Sequence, residues 1–178
     1  MTLSVSFEQY RALAALGGVV PVVREFASDT LTPVAAYAAI ARAPFGFLLE
    51  SLVGGERWAR YTFLGTDPSE AWRYRGGQSE RWTRATGWRA AGPANDPLAH
   101  VAAQVRPLRA VPIPGLPRFT GGAVGYLGYD AVRAFERLPN APADDLNLPD
   151  AVFLVADTVV IIDNAFGRAI VVANTRPE

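Results

Sequence analysis

The sequence predicts an α+β fold of layered antiparallel sheets flanked by helices, and three observations carry that prediction. Capped helical segments are interleaved with β-rich hairpins and never settle into regular strand–helix–strand alternation. Half of the 178 residues are hydrophobic, enough for a core in one domain or in a large piece of a bigger one. Two long apolar runs near residue 178 flank a turn signature, which is how an antiparallel hairpin reads.

Ser6 is placed to cap a first helix with Gln9 reaching back; Phe7, Tyr10, Leu13 and Leu16 recur at helical spacing, and Gly17-Gly18 stops it. Val19 to Phe26 is β-branched and reads as a strand. Thr32 caps and Pro33 opens a second helix that ends before Pro44, and the strand Phe45 to Ser51 follows. Trp58 to Gly65, Glu70 to Arg75 and Gln78 to Arg84 read as an antiparallel meander whose last two strands join at Gly76-Gly77.

Asp96-Pro97 starts a helix running to Arg109, after which Pro112, Pro114 and Pro117 form a stiff linker. Thr120 to Tyr126 is a glycine-rich strand, Asp130 to Arg137 a helical turn, and Pro139 to Pro149 an acidic loop. The closing runs are Ala151 to Asp163 and Arg168 to Ala173, on either side of Asn164-Ala165-Phe166-Gly167. So apolar a strand at a terminus needs partners on both sides, and the chain reads as cut short there.

Composition excludes several classes of function. Lys+Arg and Asp+Glu both number 17, so no global field recruits nucleic acid or anionic lipid. Every cation is arginine, which rules out Schiff-base chemistry. The absence of cysteine rules out disulfides, thiolate nucleophiles and cysteine-ligated metals, and fits a reducing cytoplasm. Met1-Thr2-Leu3-Ser4 opens no basic-then-apolar leader, and no apolar run reaches membrane-spanning length, so the chain reads as soluble and unexported.

Individual motifs carry competing readings. The glycines of Gly121 to Gly128 meet neither dinucleotide nor P-loop spacing, and close backbone packing explains them better than a phosphate site. Trp58, Trp72, Trp82 and Trp88 are interleaved with Arg73, Arg75, Arg81, Arg84 and Arg89; a single-stranded nucleic acid site is the alternative to arginine stacked on tryptophan, which the balanced charge favours. His100, the sole histidine, has no metal-ligand spacing around it and reads as a partly buried or surface imidazole. Asp144, Asp145 and Asp150 lack calcium-loop spacing and read as a solvated loop. Glu50-Ser51 ends an apolar strand: its oxygens and the nearby Arg60 could hold the two charged ends of an amino acid, although the residues by themselves lean toward a simple exit to solvent.

Several segments in one order change that balance. Phe47-Leu48-Leu49-Glu50-Ser51, Arg60-Tyr61-Thr62-Phe63-Leu64-Gly65, Phe119 to Asp130 with Val132-Arg133 and Glu136, and Asp145-Leu146 before Pro149-Asp150 resemble anthranilate synthase component I, the large subunit, over essentially the whole chain. The resemblance is to that family's N-terminal region, so residues 1–178 are expected to form a regulatory domain of a chorismate-utilising α+β fold. It implies an enzyme converting chorismate to anthranilate and pyruvate, the committed step of tryptophan synthesis. Ammonia would come from a glutamine amidotransferase partner subunit, and magnesium would serve a catalytic region that this chain lacks. The chain alone is then expected to hold no catalytic residue and no cofactor, and to be silent.

What it would hold, by the same resemblance, is most of the feedback site for L-tryptophan. Leu49, Glu50, Ser51 and Arg60 are the positions carried over, with Ser51 and Glu50 taking the ammonium, Arg60 the carboxylate and Leu49 the ring. Tyr126 and Arg133 are expected to couple this site to the absent region. Without a ring-burying wall worth about 100 Å², or 2–3 kcal/mol, binding is expected to be millimolar or weaker. The alternatives are the corresponding part of the para-aminobenzoate synthase large subunit, which shares the layered fold, and a stand-alone ligand- or nucleic-acid-binding module.

Overall fold

Local signals place the helices. Ser6 Oγ accepts from the Gln9 N–H at 3.2 Å while Gln9 Oε1 accepts from the Ser6 N–H at 2.8 Å, closing the capping box of α1 (Phe7–Ala14). Thr32 and Asp96 cap α2 (Pro33–Ile40) and α3 (Pro97–Val105) by a side-chain oxygen that accepts from the Ala35 and Ala99 N–H, each with proline in the first turn. The structure is a computed structural model and describes residues 5–16, 18–28, 30–51, 60–140 and 143–176. The opening Met1 to Ser4, the helix stop at Gly17 and the strand start and tryptophan at Trp58 lie outside the described residues.

Among the described residues ten strands follow in chain order: β1 (Val20–Ala27), β2 (Gly46–Leu49), β3 (Tyr61–Thr66), β4 (Glu70–Arg75), β5 (Gln78–Thr83), β6 (Gly87–Pro93), β7 (Gly122–Leu127), β8 (Ala151–Ala156), β9 (Thr158–Asp163) and β10 (Arg168–Thr175). They form two five-stranded sheets, β1-β10-β9-β3-β2 and β6-β5-β4-β8-β7. Where the length suggests one core, the chain makes two compact units, Met1–Pro68 with Leu108–Gly122 and Ala156–Glu178, and Ser69–Pro107 with Ala123–Val155. The fold is α+β with antiparallel sheets.

In the first unit, residues paired across strands share a face. Leu48, Leu64, Val160 and Ile162 line one face and pack with Ala36, Tyr37 and Ile40 of α2. Phe47, Leu49, Phe63, Ile161 and Ile170 line the other. In the second unit the β4–β5 hairpin turns at Gly76 and Gly77, both at positive φ as a two-residue turn requires. Its core joins Trp72, Tyr74, Ala94 and Ala151 to Val101 of α3. The Tyr74 hydroxyl lies 2.9 Å from His100 Nδ1, and burial pushes the Tyr74 pKa above its ordinary range. His100 is thus a partly buried partner of an aromatic cluster.

The structure differs from the sequence expectation at five places. The strand after Ser51 does not start a meander: β3 pairs with β2 and β9, and β4 begins the second sheet with β5, β6 and β8. The apolar run Ala151 to Asp163 parts at Asp157, whose carbonyl accepts from the Asn174 backbone N–H at 2.8 Å and side-chain N–H at 3.2 Å. β6, absent from the sequence reading, follows a turn in which Thr83 and Thr86 hydroxyls bond at 2.8 Å and Gly87 takes positive φ. The strand expected to reach Ser51 stops at Leu49, and the helical turn after Asp130 is a 3-10 turn over Tyr129–Ala134.

Gly125 explains the glycine-rich segment. A Cβ there would strike the Val152 carbonyl of β8, so β7 can lie this close only without a side chain. Gly125→Ala should lower stability by about 2 kcal/mol, read as a lower urea midpoint at unchanged slope. An unshifted midpoint would show that β7 has room to spare.

Candidate functional site

The end of β2 is built by its pairing with β3. Leu49 lies opposite Phe63, so the chain leaves β2 towards Glu50 and Ser51 at the same end of the pair at which Arg60 leads into β3. Leu49 is 48% exposed, and Glu50 and Ser51 are exposed in coil beyond it. On the Leu49 face, Phe119 meets Phe47 and Phe63 edge-on at 6.5 and 5.4 Å, and Tyr61 lies 6.1 Å from Phe63. The Phe47 ring covers Gly65, where any side chain would collide with it. Leu49, Glu50 and Ser51 therefore sit at the margin of an aromatic face that the motif reading did not assign to the site.

Arg60 is held more firmly than an exposed cation. Its Nε and Nη2 donate to the two oxygens of Asp163, each at 2.9 Å, and its backbone carbonyl accepts from the Asn164 N–H at 2.8 Å. The guanidinium carbon lies 4.7 Å from the ring centroids of both Tyr61 and Phe166. Asp163 is fully buried, and it also accepts from Arg168 Nε at 3.1 Å, while Arg168 Nη1 reaches Glu25 at 3.2 Å. Hydrogen bonding to Arg60 outweighs desolvation and, with Arg168, holds the Asp163 carboxyl below its usual range. Asp163, Phe166 and Arg168 were missed from the sequence because a single Asp at a hairpin turn, more than a hundred residues from its partner, carries no local signal.

Tyr126 and Arg133 belong to the second unit. The Tyr126 hydroxyl donates to the Pro149 carbonyl at 3.1 Å; Arg133 donates to Asp130 at 3.0 Å and to the Leu138 carbonyl at 2.9 Å. The arginines of the tryptophan-rich hairpin are also engaged: Arg73 bonds both oxygens of Glu80 and lies 4.4 Å over Trp88, and Arg81 bonds Glu70 and faces Trp72 at 5.8 Å. The hydrogen bond lowers the Glu80 pKa and raises that of Arg73. Asp144 and Asp150 tie the acidic loop to the β4–β5 turn, through Arg75 Nη2 at 3.3 Å and the Gly76 N–H at 2.8 Å.

Because the Asp163 pKa is depressed in the folded state, the unfolded chain takes up the proton first as pH falls. The ion-pair contribution is complete above the ordinary carboxylate value of about 3.9 and is lost below it, as pH falls through the folded value. Asp163→Asn should cost about 2–3 kcal/mol near neutral pH. Urea titrations should find that gap narrowing on acidification below about pH 4; a gap independent of pH would exclude ion pairing as its source.

No family model matches the sequence. The chain is 37% identical over 175 residues to anthranilate synthase component 1 of Mycolicibacterium smegmatis, covering 95% of this chain and 32% of that protein. It is 36% identical to the same-named protein of Neisseria meningitidis serogroup B, covering 97% of this chain and 36% of that protein. The crystal structure of anthranilate synthase component I from Streptococcus pneumoniae superposes with a TM-score of 0.54 at 23% identity, over 83% of this chain and 31% of that one. The chain thus spans about a third of the length of the relatives it matches. Proteins of this one name cover 95 to 98% of the chain at 33 to 38% identity, and over nearly its whole length the chain is similar to a segment about a third as long as anthranilate synthase component I.

Proposed function

We propose that the chain is the tryptophan-sensing part of an anthranilate synthase large subunit and binds L-tryptophan where β2 ends. The supporting observation is the antiparallel pairing of β2 with β3, which puts the residues after Leu49 and the residue before Tyr61 at the same end of the two strands. Oxygens of Glu50 and Ser51 can accept from an ammonium, the Arg60 cation can face a carboxylate, and Leu49 with the rings of Phe47, Tyr61 and Phe63 can receive an indole. Residues 1–178 would then be the regulatory region of a cytoplasmic enzyme that makes anthranilate and pyruvate from chorismate.

Its proposed partners are L-tryptophan, the rest of the large-subunit polypeptide and a glutamine amidotransferase subunit that delivers ammonia. L-tryptophan would act by favouring an inactive arrangement, and could shift it only by its differential affinity for the two states. Tyr126 and Arg133 are the proposed coupling positions. Among the described residues no three His, Cys, Asp or Glu side chains gather as a metal site. No helix among them is long and apolar enough to cross a membrane.

A thermal-shift titration tests the site. Millimolar L-tryptophan should stabilise the chain, by about 1.4 kcal/mol at ten times the dissociation constant, and a single-stranded oligonucleotide should not. The opposite pattern would move the function to the arginine–tryptophan hairpin. In a polypeptide carrying the family's full length, Ser51→Leu should raise the L-tryptophan concentration for half-inhibition at least tenfold, about 1.4 kcal/mol of lost binding. Unaltered inhibition would remove Ser51 from the site.

A further inference from the structure

The proposed site uses Arg60 as its cation, yet Arg60 is not an isolated side chain. One edge of its guanidinium is taken by both oxygens of Asp163, its carbon lies 4.7 Å from the rings of both Tyr61 and Phe166, and its carbonyl is fixed by the Asn164 N–H. All of these partners except Tyr61 come from the end of β9 and the turn after it. Asp163 also serves Arg168, so two guanidinium groups share one buried carboxylate. Glu25, half-exposed on β1, bonds Arg168 Nη1 at 3.2 Å and so pairs Arg168 on its other side. A cation fixed this way is placed before any ligand arrives, and little rotamer entropy remains to be lost on binding.

We infer that Asp163 is the positioning residue of the amino-acid site: by holding Arg60 in one orientation beside the end of β2, it sets the site's preference for a ligand that carries a carboxylate. Phe166 supports the same orientation from the hairpin turn. This rests on the tryptophan-site reading and extends it from the residues that would touch the ligand to the one that aims them. A purely structural Asp163 would contribute to stability and leave the ligand preference alone; a positioning Asp163 changes the preference itself.

The experiment compares L-tryptophan with tryptamine, which keeps the ring and the ammonium but lacks the carboxylate, by following amide resonances of the 178-residue chain with each ligand up to tens of millimolar. In the wild type L-tryptophan should bind about tenfold more tightly, the scale of one charge-assisted contact. In Asp163→Asn that ratio should fall to within about twofold while tryptamine affinity is unchanged. Because Asp163 is buried, Phe166→Leu at a position 68% exposed is the companion variant, expected to keep the fold and lose part of the ratio. If Asp163→Asn fails to fold, the Phe166→Leu ratio decides. A wild-type ratio near one, or a ratio retained in the folded variants, overturns the role of Asp163 while leaving the tryptophan site standing. Resonances that L-tryptophan does not move at all overturn the site and this inference together.

Discussion

A strand inside a sheet must pair its backbone N–H and C=O groups on both sides, and a run as apolar as Ala151 to Asp163 has no stable place at an edge. The chain satisfies this by using the run twice. β8 lies between β4 and β7, β9 lies between β3 and β10, and Val155, Val159 and Ile161 are buried. The break at Asp157 is itself hydrogen-bonded, to the backbone and the side chain of Asn174. Much else follows from that one division: β3 is drawn to β9 and away from β4, the chain acquires two sheets, and the hairpin partner β10 sits between β9 and β1.

The far end of β9 connects the fold to the proposed function. Asp163 is a buried charge, and a buried charge is tolerated only when paired and hydrogen-bonded. Arg60 and Arg168 supply that pairing from the residue before β3 and from β10, so the need to satisfy one carboxylate fixes a cation at the end of β3 that pairs with the end of β2. The aromatic side of the same strands is fixed by ordinary sheet pairing, with Phe47 packed over Gly65 and Phe119 closing edge-on against both phenylalanines.

Local chemistry was the most legible part of the sequence. Ser6, Thr32 and Asp96 announce their helices because a cap involves only neighbouring residues, and Gly76-Gly77 announces its hairpin because the turn needs positive φ. The Gly125 packing reading was legible for the same reason. β6 was not, since Gly87 to Pro93 is rich in small residues and gains its strand character from pairing with β5. The Leu49-Glu50-Ser51 and Arg60 segments could be read as motifs, whereas the partners that orient Arg60 could not, because they arrive through β9.

By itself the sequence determined the α+β class, the helix caps, the hairpin turns, the internally compensated charge and the family whose ordered segments the chain carries. Each of these is written in residues that are neighbours along the chain or in a fixed order along it. The tertiary structure alone decided which strands pair, where the long apolar run divides, and that Asp163 rather than solvent surrounds the Arg60 guanidinium. Those outcomes depend on backbone and charge partners brought together from distant positions, where every buried polar group competes at once for a partner and no local pattern records the winner.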